Sequence, residues 1–194
     1  IFISCDYFII PTSPDLFSNM AVKSLARILP SWQAWAKKAR PIYADATYPL
    51  PTNTPKFLGY TINDFNLSNG QIQSGFKSLI KNIGNTITND LVPALEKEGM
   101  LLDSKKYEDV YNGVVKQTHQ GNFVYENKYC LAEISNFNKL IALSNKRSIP
   151  IFELQPDHYL GTQIKTLSWF KFLYKVFAWK IQRLVTNDSC EDTI

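Results

Sequence analysis

The sequence predicts an α/β fold in which a parallel sheet is covered by helices on both faces. Three observations carry this expectation. Short apolar runs of strand length (Cys5 to Ile10, Lys56 to Phe65, Tyr129 to Ile134 and Ile151 to Leu154) read as buried strands. They alternate with longer segments whose apolar residues recur at helical spacing, an order that gives right-handed crossovers and parallel pairing. A chain of 194 residues, 45% hydrophobic and 20% charged, also has enough apolar side chain to bury a core.

The elements follow in order. The first strand turns through Pro11 to Pro14 into a helix with Ser13 as N-cap and Pro14 at its first position. Phe17, Met20, Ala21, Ser24, Leu25 and Ile28 form the face expected to pack on the sheet. Pro30 is expected to interrupt this helix, after which a second amphipathic stretch carries Trp32 and Trp35. The proline-rich segment Tyr48 to Pro55 is a loop, Lys56 to Phe65 the second strand, and Asn66 to Gly70 a turn. Ser74 caps a long helix to about Lys97 that tolerates Gly84. Residues 100–128, polar and rich in Tyr, Lys and Gln, read as a variable insertion with a short helix from Tyr107 to Val115. Tyr129 to Ile134 is the third strand, Asn138 to Ser148 a helix, and Ile151 to Leu154 a short fourth strand. The final helix, from Thr162 to about Val185, carries its core stripe on Ile164, Leu167, Phe170, Leu173, Phe177, Ile181 and Leu184. Residues 1–185 read as one unit and 186–194 as a polar tail. Because apolar strand sequence begins almost at Ile1, the fold is read as N-terminally truncated.

Composition excludes little. Lys and Arg number 21 against 17 Asp and Glu, giving a net charge of +4 that permits contact with nucleic acid without demanding it. Cys5, Cys130 and Cys190 stand far apart with no histidine at ligand spacing, which points to a reducing, cytoplasmic setting and no metal site. Ile1 to Ile10 is too short to span a bilayer and lacks the flanks of a signal peptide.

Parallel sheets bind ligands at the carboxyl ends of their strands, which singles out Pro11-Thr12, Asn63-Asp64 and Ser135-Asn136. Pro11 offers a flat apolar surface and the Asn63 amide a donor and an acceptor that match an adenine edge. In the alternative reading Pro11 merely ends a strand and Asn63 satisfies a turn. Gly70 to Ser78 imitates a phosphate-binding loop, but Phe76 stands between Gly75 and Lys77. That extra residue turns Lys77 by roughly 100° on a helix, and Ser74 as a cap explains the segment better. His119 and His158 lie in loop sequence with no nucleophile signature nearby, and no catalytic residue is assigned. Asp90, Glu96, Glu98, Asp103, Glu108 and Asp109 read as solvated faces. The last helix carries Lys165, Lys171, Lys175, Lys180 and Arg183 with no acidic residue, a pattern able to meet a DNA backbone through phosphate contacts. Basic residues late in a helix also complement its dipole.

The run Ser4 to Ser18, with Met20-Ala21 and Ser24-Leu25, resembles the strand and helix that follow the switch region in the ParA/MinD family of deviant P-loop ATPases, and the ParA-like branch in particular. Pro55 to Gly59 leading to Asn63 resembles the next strand of that family; Ser144 to Leu154, Gly161 and the final helix resemble its C-terminal end. The resemblance implies a P-loop NTPase-like fold and the C-terminal part of a cytoplasmic ATPase for plasmid or chromosome partitioning. In full length such a protein forms a homodimer around ATP and Mg2+, binds DNA non-specifically and answers to a ParB-like centromere-binding partner. On this footing Pro11, Thr12, Asn63 and Ser135 are the expected cofactor-binding residues, and Lys171 and Lys175, chosen for sharing one face of the basic helix, the expected DNA contacts. The family's phosphate loop, magnesium ligands and switch strand lie upstream of the part matched here, so this chain alone is expected to be inactive. Ser135 stands where relatives often carry Pro. The acidic end, Thr186 to Ile194, departs from the membrane helix of the MinD-like branch, so no membrane partner is expected. The alternative is a short ParA-like binding or regulatory module without hydrolysis.

Overall fold

The computed structural model describes residues 2–68, 71–111, 115–118, 121–124, 128–156, 161 and 163–186. After a 3-10 turn at Phe2–Ser4, β1 (Tyr7–Thr12) leads into α1 (Leu16–Ala39), and β2 (Lys56–Phe65) is followed by a two-stranded hairpin of β3 (Leu67–Ser68) and β4 (Gln71–Ile72). Next come α2 (Ser74–Thr86), a π-helical turn at Ile87–Leu91 and α3 (Val92–Lys97), which together fill the span expected of one long helix. Then follow α4 (Ser104–Tyr111), β5 (Val115–Thr118), β6 (Gly121–Val124), β7 (Cys130–Ser135), α5 (Asn138–Arg147), a 3-10 turn at Ile151–Glu153 and α6 (Gln163–Val185).

β1, β2 and β7 form a parallel sheet in that order, with Pro11 beside Thr61, and Asn63 beside Ile134. β2 is buried at every residue from Phe57 to Ile62, as a central strand must be when both of its faces are covered. One helical group packs α1 against α2 and α3; another packs α6 against α4 and β7. The main core runs from Ile10, Val22 and Leu29 through the β2 residues to Ile83, Leu91, Leu95 and Leu184. A smaller core joins Phe137, Leu140, Leu154, Leu167 and Phe170. Among the described residues, no helix is long and apolar enough to cross a membrane.

Several expectations need correction. The strand expected at Ile151 to Leu154 does not form: Ile151–Glu153 is a 3-10 turn, and Leu154 enters the small core from outside the sheet. Pro150, which lacks an N–H, and Ser148 in a left-handed conformation turn the chain before a ladder can start. Pro30 does not interrupt α1, which continues to Ala39 because Gln33, Ala36 and Ala39 bury beyond it. The N-cap of α1 is Asp15, not Ser13: its carboxylate accepts the Ser18 N–H at 2.7 Å. Ser74 is the first residue of α2 and not its cap; that position belongs to Gln73, without a side-chain hydrogen bond. The face of α1 is also displaced. Val22, Leu29, Gln33, Ala36 and Ala39 turn inward, while Phe17, Met20 and Ile28 stand exposed.

The first part of the insertion, Met100 to Tyr111, joins the main core. Leu101 bridges to Phe57, and the Phe57 N–H donates to the Met100 carbonyl at 2.8 Å, giving the amino end of β2 a parallel neighbour. The short helix ends at Tyr111, before the expected Val115, and its Tyr107 and Tyr111 hydroxyls donate to the carbonyls of Phe57 and Leu58. These phenols occupy the gap beside β2 where β7 has not yet begun, and their burial holds both hydroxyls well above the usual tyrosine range. Gly59 sits at the mouth of this gap with φ +150°, and a Cβ there would lie 2.5 Å from the Tyr129 carbonyl oxygen. Only glycine fits.

Candidate functional site

The carboxyl ends of β1, β2 and β7 lie side by side, so Pro11-Thr12, Asn63-Asp64 and Ser135-Asn136 come to one edge of the sheet. Parallel pairing does this directly: three strands pointing the same way must end on the same side. Pro11 is exposed at the rim. Thr12 is buried, and its hydroxyl donates to the Thr61 carbonyl at 2.7 Å, so it ties β1 to β2 and turns no hydroxyl outward. Asn63 is half-buried; its Nδ2 donates to the Thr61 hydroxyl at 3.2 Å, which leaves one amide hydrogen and Oδ1 for a ligand. Ser135 is buried opposite Phe65.

Asp64 breaks the register between β2 and β7 with φ +58°, and the Asn136 amide lies at the outer limit of a hydrogen bond to its carboxylate, 3.5 Å. The Asn136 N–H donates to the Phe65 carbonyl at 2.9 Å, and the Asn136 Oδ1 accepts the N–H of Asn138 at 2.8 Å. At the start of α1 the Asp15 carboxylate binds both the N–H and the hydroxyl of Ser18. Electrostatics follows from these two acids. Asp15 and Asp64 flank the strand ends, while Lys and Arg are absent from residues 11–19, 63–66 and 135–138. Such an edge suits a neutral hydrogen-bonding ring and repels a phosphate. The first turn of α1, where an anion would otherwise be drawn, already holds its own carboxylate.

No family model, curated protein or solved structure matches this chain.

The basic helix divides into three environments. Lys175 is exposed. Lys171 is half-buried, with Nζ donating to the Leu154 carbonyl at 3.1 Å, so it also holds the small core to α6. Lys180 does not belong to a solvated basic face: it is 1% exposed, donates to the Cys130 carbonyl at 3.0 Å and lies over the Tyr111 ring. Its position three residues beyond Phe177 and four before Leu184, both packed in the main core, was the available signal. Arg183 lies over the Trp179 ring. His119 and His158, the Gly70 of the imitation phosphate loop and the 187–194 part of the tail fall outside the described residues. Cys5 and Cys130 are not joined in a disulfide; Cys130 is fully buried and its thiol donates to the Ala132 carbonyl at 3.7 Å.

Proposed function

We propose that this chain is the C-terminal part of a ParA-like partition ATPase and forms the adenine side of its nucleotide site. The observation that carries the reading is the juxtaposition of Pro11, Asn63 and Ser135 at the ends of three neighbouring parallel strands. Asn63 retains a donor and an acceptor there, Pro11 supplies an apolar surface, and the acids Asp15 and Asp64 leave the edge better suited to a base than to phosphates. Thr12 acts by position, joining β1 to β2 beneath the base. ATP phosphates and Mg2+ belong to residues upstream, as do homodimerisation around ATP and the response to a ParB-like partner. Non-specific DNA binding is assigned to the exposed side of α6, with Lys175 as the principal contact and Lys171 beside it.

The reading frame upstream of Ile1 tests this first, since it must encode a phosphate loop of the form KGGxGK[ST]. In the protein expressed from that frame, Asn63→Ala should cut the preference for ATP over GTP about tenfold, near the lower end of what a two-point contact to a base edge contributes. Basal affinity for the triphosphate should change less. An upstream frame without the loop, or unchanged base preference in Asn63→Ala, would remove the proposal.

A further inference from the structure

The outward face of α1 carries an apolar stripe that the described residues leave largely uncovered, apart from the Phe2 ring beside Trp32. At 100° per residue, Phe17, Ser24, Ile28 and Trp35 lie within about 20° of one line along the helix, with Met20 on one side and Trp32 on the other. Phe17 is 81% exposed, and Trp35, Met20, Trp32 and Ile28 keep between 40% and 57% of their surface open. Leu16 adds 62% at the helix start. At roughly 200 Å² per large side chain, these openings leave on the order of 650 Å² of apolar surface, at or above the largest patch of an ordinary monomer.

Charge distinguishes what can cover it. Lys23, Arg27 and Lys38 run along the Met20 edge of the stripe, all exposed, and no acidic residue occurs between Asp15 and Asp45. A second copy would bring two such basic rows onto one seam. A surface of anionic lipid would neutralise them and take up a convex helix without a matching groove. The segment that follows α1 has the same character, with Ile42, Tyr43 and Tyr48 exposed, and Trp and Tyr favour the water–hydrocarbon boundary.

We propose that α1 is a peripheral membrane-binding helix, seating Phe17, Met20, Ile28, Trp32 and Trp35 in the headgroup layer of an anionic bilayer while Lys23, Arg27 and Lys38 bind its phosphates. The acidic C-terminal tail bears on a different segment and does not oppose this. Attachment is interfacial: among the described residues, no helix is long and apolar enough to cross a bilayer. It involves neither nucleotide nor DNA, so its test stands apart from that of the proposed function.

Co-sedimentation of the whole chain with vesicles of phosphatidylcholine and phosphatidylglycerol, and with vesicles of phosphatidylcholine alone, decides the matter. The chain should sediment with the anionic vesicles and much less with the neutral ones. Phe17→Ser combined with Trp35→Ser should abolish sedimentation while the circular dichroism spectrum is retained. Lys23→Gln, Arg27→Gln and Lys38→Gln together should weaken it roughly 100-fold, from about a fivefold factor for each basic residue near an anionic surface. The triple variant changes only exposed side chains and keeps the test open if the serine variant fails to fold. Absence of sedimentation with anionic vesicles, or equal sedimentation by the triple variant, overturns the proposal. So does a dimer in sedimentation equilibrium that the serine variant dissociates and that binds no vesicle, which would assign the face to a second copy.

Discussion

Replacing Gly59 by Ala tests how the insertion and the sheet are joined. The new Cβ would lie 2.5 Å from the Tyr129 carbonyl oxygen, 2.6 Å from the Tyr111 hydroxyl and 2.9 Å from Leu131, whereas ordinary van der Waals contact begins at 3.4 Å. The closest of these is backbone, so relief requires β7 to retreat by roughly 1 Å, and this loosens the first bond of the β2–β7 ladder, from the Tyr60 N–H to Tyr129 at 2.9 Å. It also pushes the Tyr111 hydroxyl off the Leu58 carbonyl, now 3.0 Å away. Strain from φ +150° in a residue with a Cβ contributes about 1–3 kcal/mol, and each weakened hydrogen bond about 1 kcal/mol, so the loss is about 3–5 kcal/mol. For a chain of this size that corresponds to a melting temperature lower by about 10 °C. Thermal unfolding followed by circular dichroism reads it directly, with Gly75→Ala as control, since a Cβ there meets nothing within 4 Å. A Gly59→Ala protein melting within about 2 °C of the parent would refute the argument, because the predicted strain and lost bonds would far exceed so small a change.

The remaining predictions concern pH, nucleotide and DNA. Burial raises the phenols of Tyr60, Tyr107 and Tyr111 above their usual value near 10, so the folded state holds protons that the unfolded state releases. Their contribution is complete below about pH 10 and is lost as pH rises above it, by about 1.4 kcal/mol per pH unit for each group; melting curves from pH 8 to 12 should show the fall, and tyrosinate absorbance appearing near pH 10 in the folded chain for all three would contradict it. The 194-residue chain alone should bind no ATP at micromolar concentration in calorimetry, because on the proposed function its strand ends offer only a base contact, beside two acids and, among residues 11–19, 63–66 and 135–138, no Lys or Arg to hold phosphates. On the proposed function, Lys175→Gln in the protein expressed from the upstream frame should weaken DNA binding alike on any sequence and lower the salt slope by about 0.9 for a lost phosphate contact, as measured by filter binding over a salt series. Lys171→Gln should additionally reduce stability through its bond to Leu154.

What the sequence by itself determined was periodicity and order. The span of β2 from Lys56 to Phe65 was legible to the residue, because Phe57, Leu58, Tyr60, Thr61 and Ile62 give a dense run of apolar and β-branched residues bounded upstream by Pro55 and downstream by the turn residue Asn66. The apolar stripe of α6 was legible apart from its first residue: Leu167, Phe170 and Leu184 are buried and Leu173, Phe177 and Ile181 pack against the cores, whereas Ile164 stands exposed. The gathering of Pro11, Asn63 and Ser135 at one edge also followed from strand order, since parallel strands share an end. Tertiary structure alone decided which of two apolar faces α1 would bury. Val22, Leu29 and Ala36 won because small and branched residues let the helix approach α2 and α3 closely, leaving the bulkier Phe17, Met20 and Trp35 outside. It also decided that Ile151–Glu153 turns instead of pairing, and that Tyr107, Tyr111 and Lys180 enter the core to serve the carbonyls of Phe57, Leu58 and Cys130. The pairing of β2 with β7 starts only at Tyr60 and Cys130, so the carbonyls of Phe57 and Leu58 lie before it, and a buried acceptor is satisfied from wherever a donor can reach. Local sequence cannot register a need created some fifty residues away.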